Sequence, residues 1–449
     1  MKKAIFIISM VCVCCLFIYC GKEKTPMDNS DIVSLATDYF ALLQDGKYTD
    51  AVKNYDSTMA EALPPEKLEE IWTTFMSQAG TFKRQDGIRT EKEGKYDIVY
   101  ISCEFENINM ALKIVFNSDR QIAGMFFADG ETPQTQYEPP AYVDFNSFEE
   151  RPITINSGEW PLPGTLTIPK GDGPFPAVIL VHGSGPHDRD ETVGPNKPFR
   201  DLACGLASRG IAVLCYDKRT YVYGVRLGPA ADKITVNEET IDDALAAVSL
   251  LRNEKNIIPE KIFVLGHSLG GMLIPRIGIK DKNIAGFIVM AGAARPLEDV
   301  ILEQLTYLFS LGDSTLVDSD KEIESIKAQV ARVKDPNLSL STPATDLPLG
   351  IPAAYWLDLR GYNPPEMAKK LSQPILILQG ERDYQVSMED FRLWKKALAS
   401  RDNVKFKSYP NLNHLFMEGE GKSTPDDYQI EGHISEDVID DIVNWIKSQ

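Results

Sequence analysis

The chain has 449 residues and a formal net charge of −18 at pH 7. That length exceeds one ordinary domain and predicts two or three folded units with ample material for a buried core. The acidic balance excludes nucleic acid as a partner and adhesion to anionic lipid through a basic face, so any membrane attachment has to come from the N-terminus.

Lys2 and Lys3 precede an apolar run from Ala4 to Ile18, and Cys20, Gly21 and a charged Lys22-Glu23-Lys24 follow it. The run is short for a membrane span and sits at the extreme terminus, the pattern of a bacterial-type signal peptide over residues 1–20. Cys20 resembles the cysteine that is lipidated in bacterial lipoproteins, although Tyr19 stands where those signals usually carry a small residue. Lipidation, ordinary cleavage and an uncleaved anchor all place the body of the protein outside the cytoplasm. Beyond Cys20 the mature part has Cys103, Cys204 and Cys215, too few for a disulfide framework and expected as buried thiols.

Residues 30–128 read as a small α+β unit. Ile32, Leu35, Ala36, Tyr39, Phe40 and Leu43 recur at helical spacing, and Lys67 to Met76 is a second amphipathic segment. Tyr96 to Phe105, Met110 to Phe116 and Gln121 to Phe127 are strand-like and separated by polar turns, as in an antiparallel meander. The unit contains no histidine, so a spacer or interaction role is expected rather than chemistry. Residues 129–150, with Pro133, Pro139 and Pro140, read as a linker.

From Arg151 onward short buried-type strands alternate with helices. Pro152 to Asn156 and Gly164 to Ile168 suggest a leading hairpin; Ala177 to Val181, Ile211 to Cys215, Ile262 to Leu265, Ile284 to Met290, Ile375 to Leu378 and Val404 to Tyr409 follow. Thr235 and Glu238 form a capping-box pattern before an apolar stripe of Ile241, Leu245 and Val248. This alternation predicts an α/β unit over 151–449 with a mostly parallel, doubly wound sheet. The stretch 295–373 interrupts it and is read as a helical lid, within which Tyr355 and Trp356 either line an acyl pocket or belong to a core.

Gly266-His267-Ser268-Leu269-Gly270 sits between a buried strand and a helix-like segment. There a serine hydroxyl is pushed out of the sheet, and the first N–H groups of the helix point at whatever it attacks. A neutral hydroxyl is a weak nucleophile near neutral pH and needs a base oriented by a carboxylate. Asp383, with Glu381 as the alternative, follows the strand Ile375 to Leu378, and His414 follows Val404 to Tyr409. His433 is read as a surface residue, and His267 as facing away from the nucleophile. The oxyanion donors are expected at Leu269 N–H and at Ser184 N–H in His182-Gly183-Ser184-Gly185, with Gly185 behind Ser184. Asp188, Arg189 and Asp190 are either an ion network or contacts to a polar substrate group. The scattered histidines give no metal site and no cofactor is implied.

Four segments carry a common likeness: His182-Gly-Ser-Gly-Pro-His-Asp-Arg-Asp190, Tyr216-Asp-Lys-Arg-Thr220, Gly266-His-Ser-Leu-Gly-Gly271 and Asn413-His414. Together they resemble secreted serine esterases of the α/β-hydrolase superfamily, in its dienelactone-hydrolase-like and cinnamoyl-esterase-like branch, over nearly all of residues 151–449. True dienelactone hydrolases use a cysteine nucleophile, and haloalkane and epoxide enzymes of the superfamily an aspartate; Ser268 departs from both. The resemblance implies the α/β-hydrolase fold and cleavage of carboxylic esters through an acyl-enzyme. It also implies a small-molecule ester or acylated polysaccharide as substrate. The first unit resembles nuclear-transport-factor-2-like or cystatin-like modules, and the domain of unknown function that precedes some secreted bacterial hydrolases of this kind. The residues leave open a serine peptidase or amidase with the same triad, and a non-catalytic surface binding lipoprotein.

Overall fold

The computed structural model describes residues 30–93, 96–106, 108–129, 137–224, 233–311 and 319–449. The leader with Cys20 and the middle of the linker lie outside the described residues. The chain forms two compact units, one through Tyr137 and one from Glu138 onward.

In the first unit, helices Ser30–Gln44, Tyr48–Ala51, Ser57–Ala62 and Pro65–Ala79 precede an antiparallel sheet in simple order, β1 (Phe82–Glu93), β2 (Tyr96–Phe105), β3 (Asn109–Phe116) and β4 (Ile122–Asp129). The Asp56 carboxylate caps the third helix by accepting the Met59 N–H at 2.8 Å. Apolar faces of the longer helices meet the sheet in an aromatic core: Phe75 stacks on Phe127 with ring centroids 4.2 Å apart and meets Phe105 edge-on at 5.1 Å. Strand β1 carries no apolar alternation. It is an edge strand, and its charged side chains reach across to β2, with Arg84 2.9 Å from Glu104 and the Arg89 guanidinium 3.9 Å above the Tyr100 ring. Pairing with a strongly apolar neighbour makes it a strand despite its composition.

The second unit is built on an eight-stranded sheet. Its strands are β5 (Phe148–Ser157), β6 (Trp160–Pro169), β7 (Phe175–Val181), β8 (Ala212–Tyr216), β9 (Ile257–His267), β10 (Gly286–Met290), β11 (Ile375–Gly380) and β12 (Val404–Tyr409). The spatial order is β12-β11-β10-β9-β7-β8-β6-β5, antiparallel where β6 pairs with β5 and β8 and parallel elsewhere. Alternate side chains of β7 serve two cores, as a strand covered on both faces requires. Ala177, Ile179 and Val181 pack with Val248, Met272 and Trp394 on one face. Val178 and Leu180 pack with Phe199, Leu202, Ile439 and Ile442 on the other. Between β10 and β11 the chain runs through helices Leu297–Ser310, Ser319–Lys334, Ala353–Leu359 and Pro364–Ala368. Cys103, Cys204 and Cys215 are buried free thiols.

Trp72 is 4% exposed and touches both Phe40 and Phe75 in the first unit. Trp72→Ala is expected to destabilise that unit by about 3–5 kcal/mol through cavity formation. The check is the denaturant midpoint of its unfolding transition.

Candidate active site

Strand β9 ends at His267 and the next helix starts at Leu269, so Ser268 alone makes the corner, with φ 52° and ψ −115°. A residue with a side chain rarely holds that conformation, and the surroundings must enforce it. Ser268 N–H donates to the Met290 carbonyl on β10, and the Ser268 carbonyl accepts the Met272 N–H, each at 2.9 Å. The glycines of the motif are required by close approach. A Cβ on Gly266 would lie 2.3 Å from the Gly270 carbonyl group, and one on Gly270 would lie 2.3 Å from the Val181 oxygen. Leu269 N–H, in the first helical turn, has no intrahelical acceptor and is free to bind an anion.

Asp383 leaves the end of β11, and its Oδ2 accepts the His414 Nδ1–H at 2.7 Å. The same carboxylate accepts the N–H groups of Gln385 at 2.7 Å and Val386 at 3.0 Å, and the Gln379 side-chain amide at 3.0 Å. Both Asp383 and His414 are 3% exposed. With Nδ1 carrying the proton, Nε2 of His414 is the basic nitrogen. The loop holding His414 is fixed by the Asn413 side chain, which accepts the Leu415 and Met417 N–H groups at 2.9 and 3.1 Å. His267, next to Ser268 in the chain, donates Nε2–H to the His414 carbonyl at 3.0 Å, and the two rings lie 4.7 Å apart. The imidazole therefore packs against the elbow. Among the described residues the Ser268 hydroxyl has no hydrogen-bond partner, so no bond joins it to the His414–Asp383 pair. Such bonds often close only around substrate. Glu381 is exposed and bonded to Ser408 Oγ at 2.7 Å, away from His414. His433 is half-buried rather than on the surface, paired at 3.2 Å with the fully buried Asp201 carboxylate, which draws it inward.

The loop after β7 passes over the serine: a Cβ on Gly183 would lie 3.2 Å from Ser268 Cβ and 3.7 Å from its Oγ. Gly183 N–H is spent on Glu191 Oε1 at 2.6 Å. Among the described residues, Ser184 N–H and Gly185 N–H have no acceptor. Glu191, 2% exposed, also places Oε2 2.9 Å from His267 Nδ1, off the line of a good hydrogen bond, so the pair is held chiefly by charge. Because Nε2–H of His267 already faces a carbonyl, a proton on Nδ1 makes the ring an imidazolium. Burial works against both charges. Even so, His267 nearby takes the Glu191 carboxyl down to about 2, and Glu191 raises the His267 imidazole above its ordinary range. His182, 1% exposed, is pushed by burial down to about 3 and stays neutral, donating Nε2–H to the Asp188 carbonyl at 3.0 Å.

The residues expected near substrate fall into other roles. Arg189 forks onto Asp217, Nε to Oδ1 at 2.9 Å and Nη2 to Oδ2 at 2.7 Å, and its Nη1 bonds Thr165 Oγ1 at 2.9 Å. Asp188 accepts the Thr192 N–H and hydroxyl at 2.9 and 2.7 Å. Trp356, 1% exposed, packs with Ile301, Val333, Leu338 and Leu347 inside the insertion and donates to the Ile351 carbonyl at 3.1 Å. Tyr355 is buried with its hydroxyl on Glu239 at 2.9 Å. In this structure Asp188 and Arg189 sit in a polar and ionic network, and Tyr355 and Trp356 in packed cores. Lys218, with Asp217 and Arg219 after another strand end, carries the same two sequence readings as Asp188 to Asp190, an ion network or a substrate contact; Glu191 and Glu239 were not singled out, since nothing in their local pattern marks a charged side chain as buried. No group of three or more His, Cys, Asp or Glu among the described residues is placed to hold a metal ion.

Residues 178–428 match the model of the alpha/beta hydrolase family. The chain belongs to that family. Residues 36–125 match a protein family of unknown function, DUF3887. Over 385 residues the chain is 42% identical to Esterase EstD of Thermotoga maritima, an alignment covering 86% of this chain and 88% of the relative, and so spanning both units. It is 26% identical over 290 residues to a monoacylglycerol lipase of Mycolicibacterium smegmatis, covering 63% of this chain and 90% of that one. Among solved structures it is similar to Est1E from Butyrivibrio proteoclasticus, with 16% identity, a TM-score of 0.44 and coverage of 66% of this chain and 99% of that one.

The Glu191–His267 pair makes stability depend on pH. A carboxyl that titrates near 2 when folded and near 4.5 when unfolded contributes stability above about pH 4.5 and loses it as pH falls toward 2. His182 acts with the same sign, from 6.5 down to about 3, so the comparison needs a variant. His267, raised by Glu191, acts with the opposite sign, and Glu191→Gln alone would leave a buried imidazole that burial depresses, so both partners are removed: between pH 7 and pH 3 the urea midpoint of wild type should fall further than that of the double variant Glu191→Gln with His267→Asn.

Proposed function

We propose that this hydrolase is an exported serine carboxylesterase working through an acyl-enzyme on Ser268. Kinship with Esterase EstD supports a carboxylesterase-type hydrolase. The single observation that carries the mechanism is the buried 2.7 Å bond between His414 and Asp383, with the imidazole packed against His267, the residue before a serine held at a strained corner.

In this reading Ser268 Oγ attacks the ester carbonyl carbon as its proton passes to His414 Nε2. The oxygen that becomes negative is met by the N–H groups of Leu269 and Ser184. The tetrahedral intermediate collapses, the carbon–oxygen bond to the alcohol breaks, and the alcohol leaves with the proton from His414. Water then gives its proton to His414 and attacks the acyl-serine, releasing the acid and restoring Ser268. Asp383 keeps Nδ1 protonated and balances the imidazolium in both halves.

The proposed substrates are carboxylic esters of short or medium acyl chains, including acyl or aryl groups on polysaccharide. The leader supports export: two lysines, an apolar run and Cys20 are arranged as in a lipoprotein signal, with a lipid at Cys20 as the tether. Among the described residues no helix is long and apolar enough to cross a membrane.

Purified protein should hydrolyse p-nitrophenyl esters far faster than peptide anilides, and fluorophosphonate should label it; the reverse preference would favour an amidase. Ser268→Ala should abolish labelling. Asp383→Asn, which keeps the shape but offers the wrong tautomer, should lower kcat by roughly 10⁴-fold. A wild type that takes no probe and cleaves no ester would favour a binding protein.

A further inference from the structure

We propose that Lys218, which touches neither the serine nor the triad, is the positioning residue that creates the oxyanion site. The inference rests on the reading of Ser268 as nucleophile.

Lys218 lies two residues beyond β8 and is 1% exposed. Its ammonium donates to the Gly183 carbonyl at 2.8 Å and the Gly185 carbonyl at 2.9 Å, and stands 3.2 Å from Glu239 Oε1. Two N–H donors of the buried ammonium are thereby spent on the loop carbonyls, and Glu239 balances its charge. A pair kept only for packing would need Glu239 alone, whereas here two of the three donors go to the loop that passes over Ser268.

Peptide planarity gives this contact its consequence. In a trans peptide the C=O and N–H point in opposite directions, so fixing the Gly183 oxygen on Lys218 turns Ser184 N–H the other way. The next peptide is set likewise, because the Ser184 carbonyl accepts His187 Nε2–H at 2.8 Å and leaves Gly185 N–H facing away from it. With Gly183 N–H consumed by Glu191, Ser184 and Gly185 are the loop donors that remain. Lys218 also places a full positive charge on the carbonyl side of the Gly183–Ser184 peptide, polarising its N–H toward a developing anion.

Glu239 compensates the lysine charge from a π-helical turn, Asn237–Ile241, a local irregularity often found where a helix serves a site. It accepts the Thr220 hydroxyl at 3.2 Å and the Tyr355 hydroxyl at 2.9 Å, so the insertion helix Ala353–Leu359 holds the counter-ion from the far side.

The test is a double variant, Lys218→Met with Glu239→Gln, which removes both charges and leaves no orphan carboxylate. Steady-state hydrolysis of p-nitrophenyl butyrate is measured together with inhibition by a trifluoromethyl ketone, whose adduct with serine carries the oxyanion. The expected result is a folded protein with kcat lower by about 10- to 100-fold, KM within about threefold, and ketone affinity reduced in step with kcat/KM. A packing role alone would lower the melting temperature without separating kcat from KM or weakening the ketone. Unchanged kcat and ketone affinity in the folded double variant would overturn the proposal. Should that variant not fold, Lys218→Arg retains the charge but cannot reproduce three short contacts from one nitrogen. It should show the same paired loss, and wild-type kinetics there would overturn the proposal equally. A wild type without esterase activity refutes the parent reading instead, a result distinct from an active wild type with indifferent lysine variants.

Discussion

The backbone conformation of Ser268 is the constraint on which the second unit depends. A non-glycine residue at φ 52° is held there only because β9, β10 and the following helix are packed without slack around it. The close approaches at Gly266 and Gly270 show where that room was found: Cβ atoms are removed so that helix, elbow and β7 can touch through backbone. A sheet whose central strands are buried on both faces is the rigid body that can enforce such a corner, and His414 and Asp383 leave from the ends of two further strands of that body.

Around the elbow the structure buries charge, which costs free energy unless every partner is in place. Glu191 with His267, Lys218 with Glu239, and Arg219 with Asp243 are all more than nine-tenths buried. Each connects elements that sequence keeps apart. Glu191 ties the loop after β7 to the residue before the serine. Lys218 ties that loop to the strand end of β8. Arg219 ties the same segment to Ser157 at the end of β5, through a 2.8 Å bond to its hydroxyl. Deleting one partner would strand its mate, so these pairs hold the loops in one arrangement.

Much of this was legible before the fold. Apolar runs located the strands of the second sheet, and the order serine, acid, histidine placed three side chains at strand ends, where the structure joins the last two. The distribution of charge was not legible. Strand β1 is polar because it is an edge, and nothing in FKRQDGIRTEKE says that an apolar strand will pair with it. Trp356 could not be assigned between pocket and core because aromatic composition is the same in both; only its packing with Val333 and Leu347 decides it. Nothing in the local pattern of Glu191 or Glu239 marks it as buried, since burial of an ion is a property of tertiary neighbours.

A common device joins the two loops that flank the serine. A buried side-chain donor approaches each from behind and binds main-chain carbonyl oxygen: Lys218 holds the Gly183 and Gly185 carbonyls, and His267 holds that of His414. The carbonyl so bound can no longer face the crevice. In the first loop this turns N–H groups forward. In the second it fixes the main chain from which the imidazole projects, while Asn413 takes the Leu415 N–H at the other end of the same peptide. Each donor has a buried carboxylate beside it, Glu239 for Lys218 and Glu191 for His267. In the proposed reaction the one unbalanced charge that forms is then the oxyanion, and the dipoles set in advance are those proposed to meet it.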